Sequence, residues 1–321
     1  MRMAVIGAGG VGGYYGARWL ADGNAVTFVA RGAHLEQLRA QGMRVEHPEF
    51  RYRDPVDATD LDGLCARDPG EFDLLVLTVK SAATGDVARR LKRWFDSAGR
   101  RVPILSMQNG VDNESELATI LGGDTIIGGF ALRVATHVET PGTITAAGPG
   151  QVVTGPWPNR VEAPDGPALR VLDAFSHAGD AAGTPVIRTD DIRRELWRKL
   201  VINNGLNPVS ALTGWDAERL TRNPEMAAII RRLMREAASA ALADQVALTN
   251  ADVDEMFQIV HDLGPIKTSM LVDREQGRPL ELDAICGAVL SRIRTLGDEA
   301  PATELMAGLL GNGVWAAEGS A

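Results

Sequence analysis

The tightest constraint on this chain is six residues long. Gly7-Ala-Gly9-Gly-Val-Gly12 follows the apolar run Met3-Ala-Val-Ile6 and leads into Val11 to Asp22, where apolar residues recur at helical spacing. A second apolar run, Ala25 to Ala30, comes next. Strand, glycine turn, helix and strand in this order commit the start of the chain to a parallel α/β sheet. In such a turn Gly7 lets the backbone fold back, Gly9 lets a ligand approach the main chain, and Gly12 lets helix and strand close together. A helix N-terminus opening on the turn offers free N–H groups and the positive end of its dipole, a setting for a pyrophosphate. The spacing points to a dinucleotide; the plain alternative is a glycine-rich turn that holds nothing.

Further strands are expected at Leu74 to Val79, Val102 to Ser106 and Thr125 to Ile127, each after a helical or polar segment. Phe130 to Gly155 changes character, with alternating residues and turns at Pro141-Gly142 and Gly148-Pro149-Gly150, and is expected to add antiparallel edge strands. From Asp190 the period turns helical, over 190–205, 224–246, 251–262, 280–296 and 302–316. The expected fold is an N-terminal Rossmann-like doubly wound sheet over residues 1–188, followed by an all-α domain over 189–321.

Composition narrows the partners. The 42 acidic and 33 basic residues leave a net charge of −9, so no broad basic surface is expected for nucleic acid or an anionic membrane. Cys65 and Cys286 stand alone, without Cys-x-x-Cys or a His pairing, which argues against a zinc site and a disulfide framework, and no metal is expected. The start of the chain has no basic, then apolar, leader, and no run approaches 18 apolar residues, so the expected setting is the cytoplasm. Ala227, Ile230, Leu233, Met234 and Ala237 form one apolar face in 224–246, suited to core packing or, alternatively, to a homodimer seam.

Two further features carry chemistry. After the second strand stands Arg31, where an NAD enzyme usually has an acid for the ribose 2′-hydroxyl; a guanidinium matches a 2′-phosphate instead, so NADP(H) is the expected cofactor. An exposed arginine without a role is the alternative. In the segment from Glu195 to Pro208, Lys199, Asn203 and Asn207 recur at i, i+4, i+8 among Leu196, Leu200, Ile202 and Leu206. A solvent-facing helix would not set polar groups among leucines, and burying them unpaired costs several kcal/mol. One shared ligand explains all three. Taken singly, Lys199 could snorkel out of a core, and Asn207 could cap a helix stopped by Pro208.

With these pieces the chain resembles the ketopantoate reductase (2-dehydropantoate 2-reductase) family over nearly its full length. The matching segments are Gly7-x-Gly9-x-x-Gly12, Val29-Ala-Arg31-Gly-Ala-His34, Thr78-Val-Lys80, Gln108-Asn109-Gly110, Leu196-Trp-Arg-Lys199-Leu-x-x-Asn203-x-x-x-Asn207-Pro208, Thr268-Ser269-Met270 and Glu281-Leu-Asp283. The resemblance implies NADPH-dependent reduction of ketopantoate to pantoate, a step towards coenzyme A, in a cleft between two domains. It implies Lys199 as general acid to the 2-keto oxygen, and Glu281 as the carboxylate that receives the substrate hydroxyl. Asn109, Asn203, Asn207 and Ser269 would hold substrate. Gly7, Gly9, Gly12, Arg31, Lys80 and Asn109 would hold cofactor, with Lys80 near the nicotinamide ribose.

Each of these has a structural alternative. Lys80 follows a strand, Asn109-Gly110 is a routine turn, and Ser269 and Glu281 could each serve a helix start. Two departures bear on substrate identity: Ala83 stands where the family often has a polar residue, and no asparagine occurs between Asn207 and Asn223. The competing readings are a paralogous reductase of another 2-oxo acid, a dehydrogenase acting on opines or 3-hydroxy acids, and a non-catalytic NADP-binding sensor.

Overall fold

The computed structural model describes residues 1–161 and 166–315. Its strands are β1 Arg2–Ile6, β2 Ala25–Val29, β3 Met43–His47, β4 Phe50–Asp54, β5 Asp57–Thr59, β6 Leu74–Leu77, β7 Ile104–Ser106, β8 Ile126–Leu132, β9 Ala135–Thr140, β10 Thr143–Ala147, β11 Gln151–Pro156 and β12 Val186–Arg188. The helices of this part are α1 Gly10–Ala21, α2 Gly32–Gln41, α3 Leu61–Cys65, α4 Thr84–Ala98, α5 Asn113–Leu121 and α6 Pro167–Ala181. By their contacts the residues form two units: Met1–Gln108 with Asn113–Ile192, and Asn109–Asp112 with the chain from Arg193 onward.

The first unit is built on an eight-stranded sheet in the order β12-β11-β8-β7-β6-β1-β2-β5. Its β5-β2-β1-β6-β7-β8 part runs parallel throughout, the strand order of a doubly wound dinucleotide fold. Period-two alternation feeds both faces. Met3, Val5, Leu74 and Val76 enter a core with α1 and α6, while Ala4, Ile6, Leu75 and Leu77 enter another with α4 and α5.

Residues 130–155 depart from the expected edge strands. β11 does pair antiparallel with β8, but it lies inside the sheet, with β12 beyond it. The β9–β10 hairpin leaves altogether and joins β3 and β4 in a second, four-stranded sheet, order β4-β3-β10-β9. The physical reason is α1. Its Tyr14, Tyr15 and Trp19 are fully buried, and Met43, Val45, Ile144 and Ala146 from the second sheet share their core. A helix apolar on two sides needs a layer on each.

The second unit is helical: α7 Ile192–Thr213, α8 Ala217–Arg222, α9 Pro224–Ala240, α10 Asn250–His261, α11 Ser269–Glu275, α12 Ala288–Leu296 and α13 Pro301–Gly311. A π-turn over Asp283–Gly287 leads into α12, and a 3-10 turn, Ala241–Asp244, closes α9. The last expected helix, 302–316, ends at Gly311, and residue 316 lies outside the described residues.

Helix α7 departs from expectation twice. It runs through Pro208 instead of stopping at 205, so Asn207 caps nothing there. It is also not an apolar face with a polar back, because every residue from Leu200 to Ala211 is buried. Gly205 lies against Met234 of α9, Asn204 donates to the Leu233 carbonyl (3.0 Å) and to Thr303 of α13 (3.0 Å), and Arg198 pairs with Asp252 of α10 (2.8 Å). Packing from several helices holds the proline in the helix despite its missing N–H. No helix among the described residues is long and apolar enough to cross a membrane.

Candidate active site

Strand order reverses between β1 and β6, and an open α/β sheet takes its ligand beyond the C-terminal ends of such strands. The glycine turn leaves β1 there, and Thr78-Val79-Lys80 leaves β6. The two loops are tied: the Thr78 hydroxyl donates to the Gly7 carbonyl at 2.7 Å. Gly7 adopts φ +106°, and a Cβ there would lie 2.8 Å from the Val79 nitrogen. A Cβ at Gly12 would strike the Gly7 carbonyl and the Thr78 hydroxyl. At Gly9 the opposite holds: nothing lies within 4 Å of the place a Cβ would take, and no side chain caps α1. The first amides of α1 therefore keep their donors for an outside acceptor. These residues fit a dinucleotide pyrophosphate.

Arg31 directly precedes α2, is exposed, and its side chain makes no hydrogen bond or ion pair among the described residues. Lys80 is exposed at the end of the β6 loop, before the 3-10 turn Ser81–Ala83 that contains Ala83. His34, to which the sequence assigns no role, braces the glycine turn. Its Nε2 lies 2.7 Å from the Ala8 carbonyl, and its Nδ1 accepts the Gly142 N–H at 3.0 Å. That pattern requires the neutral ring with Nε2 protonated, and burial lowers the His34 pKa accordingly.

In the second unit α7 sets Lys199, Asn203 and Asn207 one turn apart, ~6 Å per step along the axis. Asn203 and Asn207 are each 5% exposed. Lys199 keeps an intermediate surface, but protein atoms crowd its ammonium, and this desolvation pushes its pKa down to about 8. It makes no hydrogen bond or ion pair among the described residues, nor does the Asn207 amide make a hydrogen bond. Asn203 Nδ2 donates to Asn109 Oδ1 at 3.3 Å, and Asn109 Nδ2 donates to Glu281 Oε2 at 3.3 Å. Three residues far apart in the chain thus form one polar row.

Glu281 lies just before the helical turn at 282, and its carbonyl accepts the Ile285 N–H at 3.2 Å, so it opens a helix as well as ending the row. Ser269 is the first residue of α11 and is exposed; its neighbour Thr268 caps the helix, and no hydrogen bond joins Ser269 to the row. The structure also reveals polar residues behind the row. Asp112 and Asp244 flank Arg292, and Asp244 accepts the Trp197 indole N–H at 3.2 Å. Asp112 and Arg292 stand 180 positions apart, so no periodicity could have paired them.

A doubly wound sheet with an open dinucleotide turn, followed by a helical unit that presents a desolvated lysine beside asparagines, defines a nicotinamide-dependent oxidoreductase. The chain belongs to the ketopantoate reductase family: the family described as "Ketopantoate reductase PanE/ApbA" matches residues 3–159, and its C-terminal part matches residues 191–313. Among curated relatives, the 2-dehydropantoate 2-reductase of Halobacterium salinarum is 29% identical over 313 residues, covering 97% of this chain and 98% of that one. The crystal structure of 2-dehydropantoate 2-reductase from Geobacter metallireducens GS-15 matches with a TM-score of 0.83 at 29% identity, covering 98% and 100% of the two chains. A D-mandelate dehydrogenase in ternary complex with NADH and anilino(oxo)acetate shares the fold, with a TM-score of 0.85 at 19% identity, covering 97% of each chain.

Proposed function

We propose that the protein reduces the 2-keto group of 2-dehydropantoate with NADPH to give pantoate, in pantothenate and coenzyme A biosynthesis. The observation that carries this reading is the Lys199 ammonium, desolvated, unpaired among the described residues, and one helical turn from Asn203. A cation so placed is costly unless a ligand oxygen meets it. When bound, the reduced nicotinamide supplies the hydride that adds to C2. Lys199 hydrogen-bonds the keto oxygen and transfers its proton as negative charge grows there, which completes the alcohol. With a pKa of about 8 it is mostly protonated at neutral pH and still an easy donor.

Asn203 and Asn207 hold the substrate's polar groups, Ser269 takes its carboxylate, and Glu281 accepts its hydroxyl, with Asn109 fixing Asn203 against Glu281. On the cofactor side the turn at Gly7, Gly9 and Gly12 takes the pyrophosphate. Arg31 takes the 2′-phosphate, while Lys80 and Asn109 attend the nicotinamide end. Residues 1–188 in this reading serve the cofactor and 189–321 the substrate, with Asn109 joining the latter.

Lys199→Ala is the test. It should lower kcat by on the order of 10²-fold or more, while NADPH still binds in a fluorescence titration. Near-normal kcat at saturating substrate would assign the proton to another group. The second reading, reduction of a different 2-oxo acid, is favoured by Ala83 in the turn after Lys80, a methyl group where the resemblance leads one to expect a polar side chain.

A further inference from the structure

We propose that Arg292 is a positioning residue of the substrate site, holding the segment Asn109–Asp112 so that Asn109 stays in line with Asn203 and Glu281. The proposal rests on the reduction argued above. The two bonds of Asn109 to the row are long, 3.3 Å each, and Gly110 beside it takes φ +103° in a turn. The direction in which the Asn109 amide faces the row depends on how the turn that carries it is held. The far end of the segment is held differently. Arg292 grips Asp112 with two prongs, Nη2 to Oδ1 at 2.5 Å and Nη1 to Oδ2 at 3.1 Å.

The guanidinium is itself fixed. Its Nε reaches both Asp244 oxygens at 3.3 and 3.2 Å, and its carbon lies 5.8 Å from the Trp197 ring centre. Trp197, 2% exposed, donates to the same Asp244 carboxylate and sits two residues before Lys199 on α7. A continuous path of packed and hydrogen-bonded groups therefore runs from the helix that carries the acid to the segment that carries Asn109. Only 17% of the Arg292 side chain is exposed, against 59% for Asp112. Burial alone would lower the Arg292 pKa, but the Asp112 and Asp244 carboxylates hold it above the ordinary arginine value.

A planar fork suits this task, because one cation must address two carboxylates in fixed directions, which a lysine ammonium does less well. An ordinary exposed ion pair would be worth little, and a brace with no role beyond stability would leave substrate affinity alone. The test separates these cases. Arg292→Ala and Asp112→Asn should each raise KM for 2-dehydropantoate by ~10-fold with KM for NADPH little changed, since small displacements of a positioning group weaken the reacting complex. Arg292→Lys should recover part of the loss.

Adding Arg292→Ala to Asn109→Ala should cause no further rise, because the arginine acts through that asparagine. Amide exchange at Gly110, Val111 and Asp112 should quicken in both single variants. Asp112→Asn, a change at an exposed side chain, keeps the test valid should Arg292→Ala fail to fold. Unchanged substrate KM in the single variants, or rises that add in the double variant, would overturn the proposal. Should the wild type reduce no 2-oxo acid, the functional reading falls, and the exchange data decide the clamp alone: unaltered exchange overturns it.

Discussion

A lysine ammonium that meets neither carboxylate nor carbonyl among the described residues fixes the pH behaviour of the site. Desolvation lowers its pKa to about 8, and the acid role needs the protonated form. The rate of reduction, measured as kcat/KM for the oxo acid, should be level below pH ~8 and fall tenfold per pH unit above it. A profile still level at pH ~9.5 contradicts the assignment. Arg31 makes a separate claim, because its guanidinium is exposed and has no described partner. Arg31→Ala should raise KM for NADPH by ~10-fold or more and largely spare NADH, since only the 2′-phosphate loses a contact. Steady-state kinetics with both cofactors check it, and equal NADPH affinity in the variant removes the role. At this scale the sequence shows what is local. Lys199, Asn203 and Asn207 share one helix and declare themselves by spacing, whereas Glu281 and Asn109 meet across 172 positions, which only the family resemblance could supply.

Among the elements, α7 and the second sheet are where local signals misled. Pro208 and the preceding asparagine read as a stop, yet the helix continues to Thr213 because packing on all sides outweighs the lost N–H bond. Residues 43–54 do alternate, with Met43, Val45, Phe50 and Tyr52 set between charged residues, and β3 and β4 form there; what no local signal tells is that they leave the main sheet and give α1 a second apolar cover. By contrast β1, α1, β2, α9, α10, α12 and α13 follow from periodicity and turns, because the apolar spacing that defines each lies within its own segment, whereas the short α11 falls outside the expected helical ranges. The proline yields a prediction. Pro208→Ala restores an N–H towards the Asn204 carbonyl and should raise stability by ~1 kcal/mol in denaturant unfolding, while raising substrate KM by altering how α7 presents Asn207. Loss of stability in that variant would mean that the surrounding helices are fitted to the proline ring.

In the whole molecule, a unit of the doubly wound, dinucleotide-binding kind is joined in one chain to a helical unit that holds Lys199 and the polar row. A sensor without turnover would need the glycine turn and Arg31 but has no use for a desolvated lysine, whose burial costs stability. In the proposed function the choice of oxo acid turns on Glu281, because a carboxylate set to receive a hydroxyl forgoes that hydrogen bond when the hydroxyl is missing. The decisive measurement is therefore kcat/KM with NADPH for 2-dehydropantoate and for 2-ketoisovalerate, which lacks that hydroxyl, in wild type and in Glu281→Gln. The expected result is ready turnover of 2-dehydropantoate, a preference of ~10²-fold or more over 2-ketoisovalerate, and a smaller preference in the variant. Equal efficiency on the two acids, or no turnover of either, would contradict it.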